Sequence, residues 1–108
     1  MKDLVILSQA PLTPQIKRNN YVDAYLEAGY SVQFWDLSQI IHPGMKYNDE
    51  QSEPYLKRIF SLFELEEELK KINVLNTIFI SDFDAFWNNR HIFKLLSKYN
   101  CSMVRIDM

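Results

Sequence analysis

One cysteine, Cys101, and two glycines, Gly29 and Gly44, are all that the 108 residues contain of either type. A single cysteine excludes an intrachain disulfide framework, and with it a four-cysteine zinc ribbon, an iron–sulfur site and a two-thiol redox centre. The scarcity of glycine leaves no G-x-G-x-x-G turn and no P-loop, because both need glycine to bring backbone against phosphate. Long hydrophobic runs are missing too, so no segment can span a bilayer as a helix. Neither sign of charge dominates: 12 Lys+Arg against 14 Asp+Glu give a net charge of −2. That balance argues against a strong polyanion binder, and no nucleic-acid partner is expected. The opening Met-Lys-Asp runs into a strand pattern rather than a signal peptide. The expected compartment is a reducing cytoplasm.

Apolar material is plentiful, at 47% hydrophobic and 14% aromatic residues. A disordered chain lacks this much, and the length suits one domain with a real core. Leu4-Val5-Ile6-Leu7 reads as a strand buried on both faces. Thr13-Pro14 is an N-cap followed by proline at the first helical position. One helix is expected from there to about Ala28, with Ile16, Val22, Tyr25 and Leu26 inward, and Gly29 as its left-handed stop. Ser31 to Asp36 reads as a second strand. A strand–helix–strand unit with short connections is parallel and right-handed.

Residues 38–54 read as a long excursion through His42-Pro43-Gly44 and a polar run. Tyr55 to Phe60 suits an edge strand better than a helix start. The reason is that Ser61-Leu62-Phe63-Glu64 is a capping box that begins a fresh helix. Leu62, Leu65, Leu69 and Ile72 then form one stripe, with Glu66, Glu67, Glu68, Lys70 and Lys71 as a solvated face. Thr77 to Ile80 is a further buried strand. A helix over about Ala85 to Tyr99 follows, with Ile92, Leu95, Leu96 and Tyr99 inward. Ser102 to Asp107 is the last strand. The expected fold is α/β: an open, mainly parallel five-stranded sheet with helices on both faces, Rossmann-like, with a flavodoxin-like arrangement as the alternative. Residues 1–108 form one domain. No closing helix follows the last strand, which suggests the N-terminal part of a longer two-domain protein.

Ligands of such sheets bind beyond the carboxyl ends of the strands. The first of those ends, Ser8-Gln9-Ala10-Pro11-Leu12-Thr13, has no glycine, and Pro11 and the following Pro14 remove backbone donors. Nucleotide phosphate and FMN are therefore disfavoured there. A receiver-type acidic pair is missing as well, and no catalytic triad is legible. Asp82-Phe83-Asp84 resembles the D-x-D metal motif of GT-A glycosyltransferases, in which two hard oxygen ligands hold Mg²⁺ or Mn²⁺. Helix capping by Asp84 and a strand end at Asp82 is the preferred reading. His91 reads as a surface histidine, His42 as a loop histidine, and Cys101 as a packed thiol. Lys17-Arg18 reads as a solvated pair. Neither a cofactor nor a metal is expected.

The stretch from Lys17-Arg18-Asn19-Asn20-Tyr21 to Trp35-Asp36-Leu37-Ser38 resembles the opening of bacterial polysaccharide-biosynthesis proteins, glycosyltransferase-like chains of capsule or O-antigen gene clusters. Ala28-Gly29-Tyr30-Ser31-Val32 and Trp35-Asp36-Leu37-Ser38 carry the likeness, which covers residues 1–42 and is looser beyond. It implies the N-terminal half of a GT-B enzyme, whose two Rossmann-like domains face a cleft. In such an enzyme this half shapes the acceptor side. The nucleotide-sugar donor sits on the C-terminal domain, the implied partner together with a saccharide acceptor. The resemblance also allows a peripheral position at the inner membrane face. Ser8, Gln9 and Thr13, with Asp36 and Asp82, are the residues expected to line the acceptor-facing cleft. The isolated domain is expected to be inactive, because positioning two substrates needs both walls.

Overall fold

A computed structural model describes residues 3–44, 52–82 and 89–105. Five strands, β1 (Asp3–Ser8), β2 (Ser31–Asp36), β3 (Leu56–Arg58), β4 (Thr77–Ser81) and β5 (Ser102–Arg105), form one sheet. Every pairing is parallel, and the spatial order is β3-β2-β1-β4-β5. This is the Rossmann order; in the flavodoxin-like order β1 would lie between β2 and β3. The direction of winding reverses between β1 and β4, and folds of this order bind their ligands beyond the carboxyl ends of those two strands.

The two-residue period of β1 explains its central place. Leu4 and Ile6 face one side with Val32, Phe34 and Ile80, while Val5 and Leu7 face the other with Trp35 and Phe79. Trp35 and Phe79 meet edge-to-face at 6.1 Å between ring centroids, a geometry that adds about 0.5–1.5 kcal/mol to burial.

Helices α1 (Pro14–Asn19) and α2 (Val22–Glu27) follow β1. Here the single helix expected over Thr13 to Ala28 is corrected to two. Asn20 ends the first, and Tyr21 takes a left-handed backbone at φ 56°. Asn20 is fully buried and its side-chain nitrogen donates to Ile16 O at 3.0 Å, so it is fastened to the turn it ends. The break also changes the inner face. Val22 is buried, and Ile16 and Tyr25 pack against the core, but Leu26 is 40% exposed. Gly29 supplies the left-handed stop at φ 90°, a conformation that glycine adopts without a Cβ penalty.

The opposite face carries α3 (Ser38–Ile41), α4 (Leu62–Lys71) and α5 (Arg90–Lys98). Ile41, Leu65, Leu69, Ile92 and Leu96 are their buried contributions, with Leu62, Ile72, Leu95 and Tyr99 half-buried beside them. Thus α3 occupies the start of the expected excursion, and residues 45–51 lie outside the described residues. The α4 cap is a variant of the expected box: Ser61 Oγ accepts from Glu64 N at 3.1 Å, but Glu64 reaches back to Phe60 N at 2.6 Å. A short 3₁₀ turn, Val74–Asn76, leads into β4. At the other edge of the sheet Val104 of β5 is 52% exposed. No helix among the described residues is long and apolar enough to cross a membrane.

Candidate functional site

Buried polar side chains gather at the carboxyl edge of the sheet. Ser8, Asp36, Ser38, Ser81 and Asp82 are buried at or just beyond the ends of β1, β2 and β4. The fully buried Asn20 joins them from the α1–α2 junction. Burying polar groups is unfavourable unless they are paired, so such a concentration at one edge must be held by a network.

Asp82 is the centre of that network. Its Oδ1 accepts from Gln9 N at 3.0 Å. Its Oδ2 lies 2.8 Å from Ser8 Oγ and accepts from Asn20 Nδ2 at 3.3 Å. Gln9 Nε2 donates more weakly to Asp82 O at 3.4 Å. Ser8 Oγ also accepts from Ala10 N at 3.2 Å and lies 2.8 Å from Ala10 O. Three elements are tied together: β1 with its following turn, the break between α1 and α2, and the end of β4. Burial pushes the Asp82 carboxyl above the usual carboxylate range, against the lowering effect of Gln9 N, Ser8 and Asn20.

Of the residues expected at the cleft, the structure brings Ser8, Gln9 and Asp82 into direct contact. Thr13 stands apart: its Oγ1 accepts from Ile16 N at 3.2 Å and caps α1. Asp36 is also separate, with Oδ1 accepting from Ser38 N at 2.8 Å at the start of α3. It is nevertheless at the same edge, because Asp36 is in register with Ser8 and Leu37 N donates to Ser8 O at 2.9 Å. Asn20 and Ser38 belong to this edge and were missed by sequence reasoning. A legible signal existed for Asn20: two asparagines in the middle of a helical pattern are poor helix formers that tolerate a turn. The second aspartate of the D-x-D pattern, Asp84, lies outside the described residues.

The network determines what the first turn can do. The Gln9 and Ala10 amides are engaged by Asp82 and Ser8, and Pro11 and Pro14 carry no N–H. An anion cradle needs converging free backbone donors, so this turn is not built as one. Among the described residues there is no group of three or more His, Cys, Asp or Glu side chains placed to hold a metal. Lys17 pairs with Asp23 at 3.3 Å and reaches Glu53 at 3.9 Å. His91 is exposed on α5. Cys101 packs against the core, and burial pushes its thiol up to about 11. Comparison with protein-family models, curated proteins and solved structures returned no match.

Proposed function

We propose that this chain is the N-terminal, acceptor-side domain of a glycosyltransferase of polysaccharide biosynthesis, in which a C-terminal domain holds the nucleotide-sugar donor. The observation that carries the reading is the occupied first turn at the Rossmann crevice. A donor-binding half needs free amides for the diphosphate. Here Gln9 N and Ala10 N are already engaged. What the edge carries instead is polar side chains at strand ends, among them the half-buried Gln9, which suit hydroxyl groups better than phosphate. The likeness of Ala28 to Val32 and Trp35 to Ser38 to polysaccharide-biosynthesis proteins supports the same role. The domain then acts by orienting an acceptor hydroxyl toward a donor on the facing domain, and catalysis needs both walls. Cytoplasmic placement, free or at the inner membrane face, follows from that role.

The test uses the endogenous protein. Its intact mass is measured, and the purified protein is screened for sugar transfer from a panel of nucleotide sugars. A product roughly three times the size of one such domain, active with one donor, is the expected result. An endogenous product of 12.9 kDa that transfers no sugar contradicts the reading and leaves a stand-alone binding module.

A further inference from the structure

The hydrogens available around Ser8 do not match the contacts it makes unless Asp82 carries one. Ser8 Oγ has two acceptor oxygens at 2.8 Å, Ala10 O and Asp82 Oδ2, and a hydroxyl has one hydrogen. If Asp82 is ionised, Ser8 donates to the carboxylate, and its oxygen is left against Ala10 O with no hydrogen between them. If Asp82 is protonated, the chain closes: Asp82 Oδ2–H donates to Ser8 Oγ, and Ser8 Oγ–H donates to Ala10 O. Every other contact survives, since Gln9 N still donates to Oδ1 and Asn20 Nδ2 to Oδ2. From this geometry we infer that Asp82 is a proton-binding site whose occupancy sets the conformation of the Gln9–Ala10 turn at the mouth of the crevice. Losing the proton reverses the Ser8 hydroxyl and frees Ala10 O, loosening the turn.

No charged group among the described contacts of Asp82 offsets an ionised form. Its partners Ser8, Gln9 and Asn20 are neutral. On β2, Asp36 is a second acid at the same edge, with Oδ1 held by Ser38 N. On α1, Lys17 is drawn to Asp23 and Glu53, and Arg18 is exposed. Arg90 opens α5 at this end of the sheet. Burial acts in the same direction, favouring the neutral acid.

The experiment is a carbon-detected NMR titration of the side-chain carboxyls alongside the backbone amides, on the folded chain and on the same chain unfolded in urea. The carboxyl shift reports protonation directly. The expected result is that Asp82 titrates at higher pH than the aspartates of the unfolded chain, and that the Ala10 and Gln9 amides move with the same midpoint. In Asp82→Asn, whose amide can donate to Ser8 in place of the acid proton, those two amides become independent of pH over the same range. If that variant does not fold, the wild-type titration decides alone. An Asp82 carboxyl that titrates at or below the unfolded aspartates overturns the inference. So do Gln9 and Ala10 amides that stay still while Asp82 titrates.

Discussion

Ser8 Oγ and Asp82 Oδ2 lie 2.8 Å apart although 74 positions separate them in the chain. The contact joins the ends of β1 and β4, the two strands between which the sheet reverses its winding. Ser8 ends β1 and Asp82 directly follows β4, and both are buried, so each is expected to find a partner within the protein.

Replacing Asp82 by alanine removes the acceptor of Gln9 N and one partner each of Ser8 Oγ and Asn20 Nδ2, which keep Ala10 and Ile16 O. An orphaned buried donor costs about 1–3 kcal/mol, and the lost contacts of Ser8 and Asn20 add to it. The expected loss of stability is about 2–4 kcal/mol in urea denaturation. Thr13→Ala, which removes only the α1 cap, is expected to cost about 1 kcal/mol. Equal losses for the two would contradict the central place given to Asp82.

Stability has a pH dependence with two opposed limbs. The carboxyl of Glu68 is held below its usual range by hydrogen bonds from Lys57 and then Lys71. Its stabilisation is present above the ordinary glutamate range and is lost as pH falls through the lowered value. Asp82 is raised, so its contribution is complete below the ordinary aspartate range and is lost as pH rises through the folded value. Denaturation midpoints taken across pH should therefore show Glu68→Gln flattening the acid limb. Asp82→Asn should flatten the opposite one.

Tyr21 holds a left-handed backbone while 58% exposed. That conformation costs a non-glycine residue about 1–2 kcal/mol. Tyr21→Gly removes the strain, offset in part by greater freedom of the unfolded chain. A change between zero and about 1 kcal/mol of stabilisation is expected in thermal melts. Gly29→Ala, at φ 90°, is expected to destabilise by about 1 kcal/mol or more.

The Cys101 thiol, pushed up to about 11 by burial, is expected to alkylate slowly. At pH 8 its thiolate fraction is on the order of a hundredfold below that of an exposed cysteine. Iodoacetamide labelling of native and urea-unfolded protein measures the difference. Equal rates would show the thiol to be open to solvent.

Most of the fold was legible because period and punctuation agree along the chain. The apolar run Leu4 to Leu7 marks the central strand, and Ser61 marks the start of α4 clearly enough to leave Leu56 to Arg58 as a strand. At the break at Asn20–Tyr21 the local signal, the asparagine pair, is outweighed by Ile16, Val22 and Tyr25, which keep a helical spacing across it. The contact of Asn20 with Asp82 across the sheet edge is long-range, and no local pattern encodes it. The same holds for the site. Strand ends pointed to Ser8, Gln9, Asp36 and Asp82, but which of them meet depends on strand order, and strand order is a long-range property. Thr13 and Asp36 make local bonds instead: Thr13 caps α1, and Asp36 accepts from Ser38 N two residues on.

The most direct measurement is an amide chemical-shift titration of this chain with two ligand classes, neutral oligosaccharides and nucleoside diphosphates. The acceptor-side account predicts that oligosaccharides move the amides of Gln9, Ala10, Leu37 and Asp82 along the carboxyl edge, while diphosphates leave the Gln9–Thr13 turn unmoved. Tight binding of a nucleoside diphosphate at that turn, with no response to any saccharide, would contradict it.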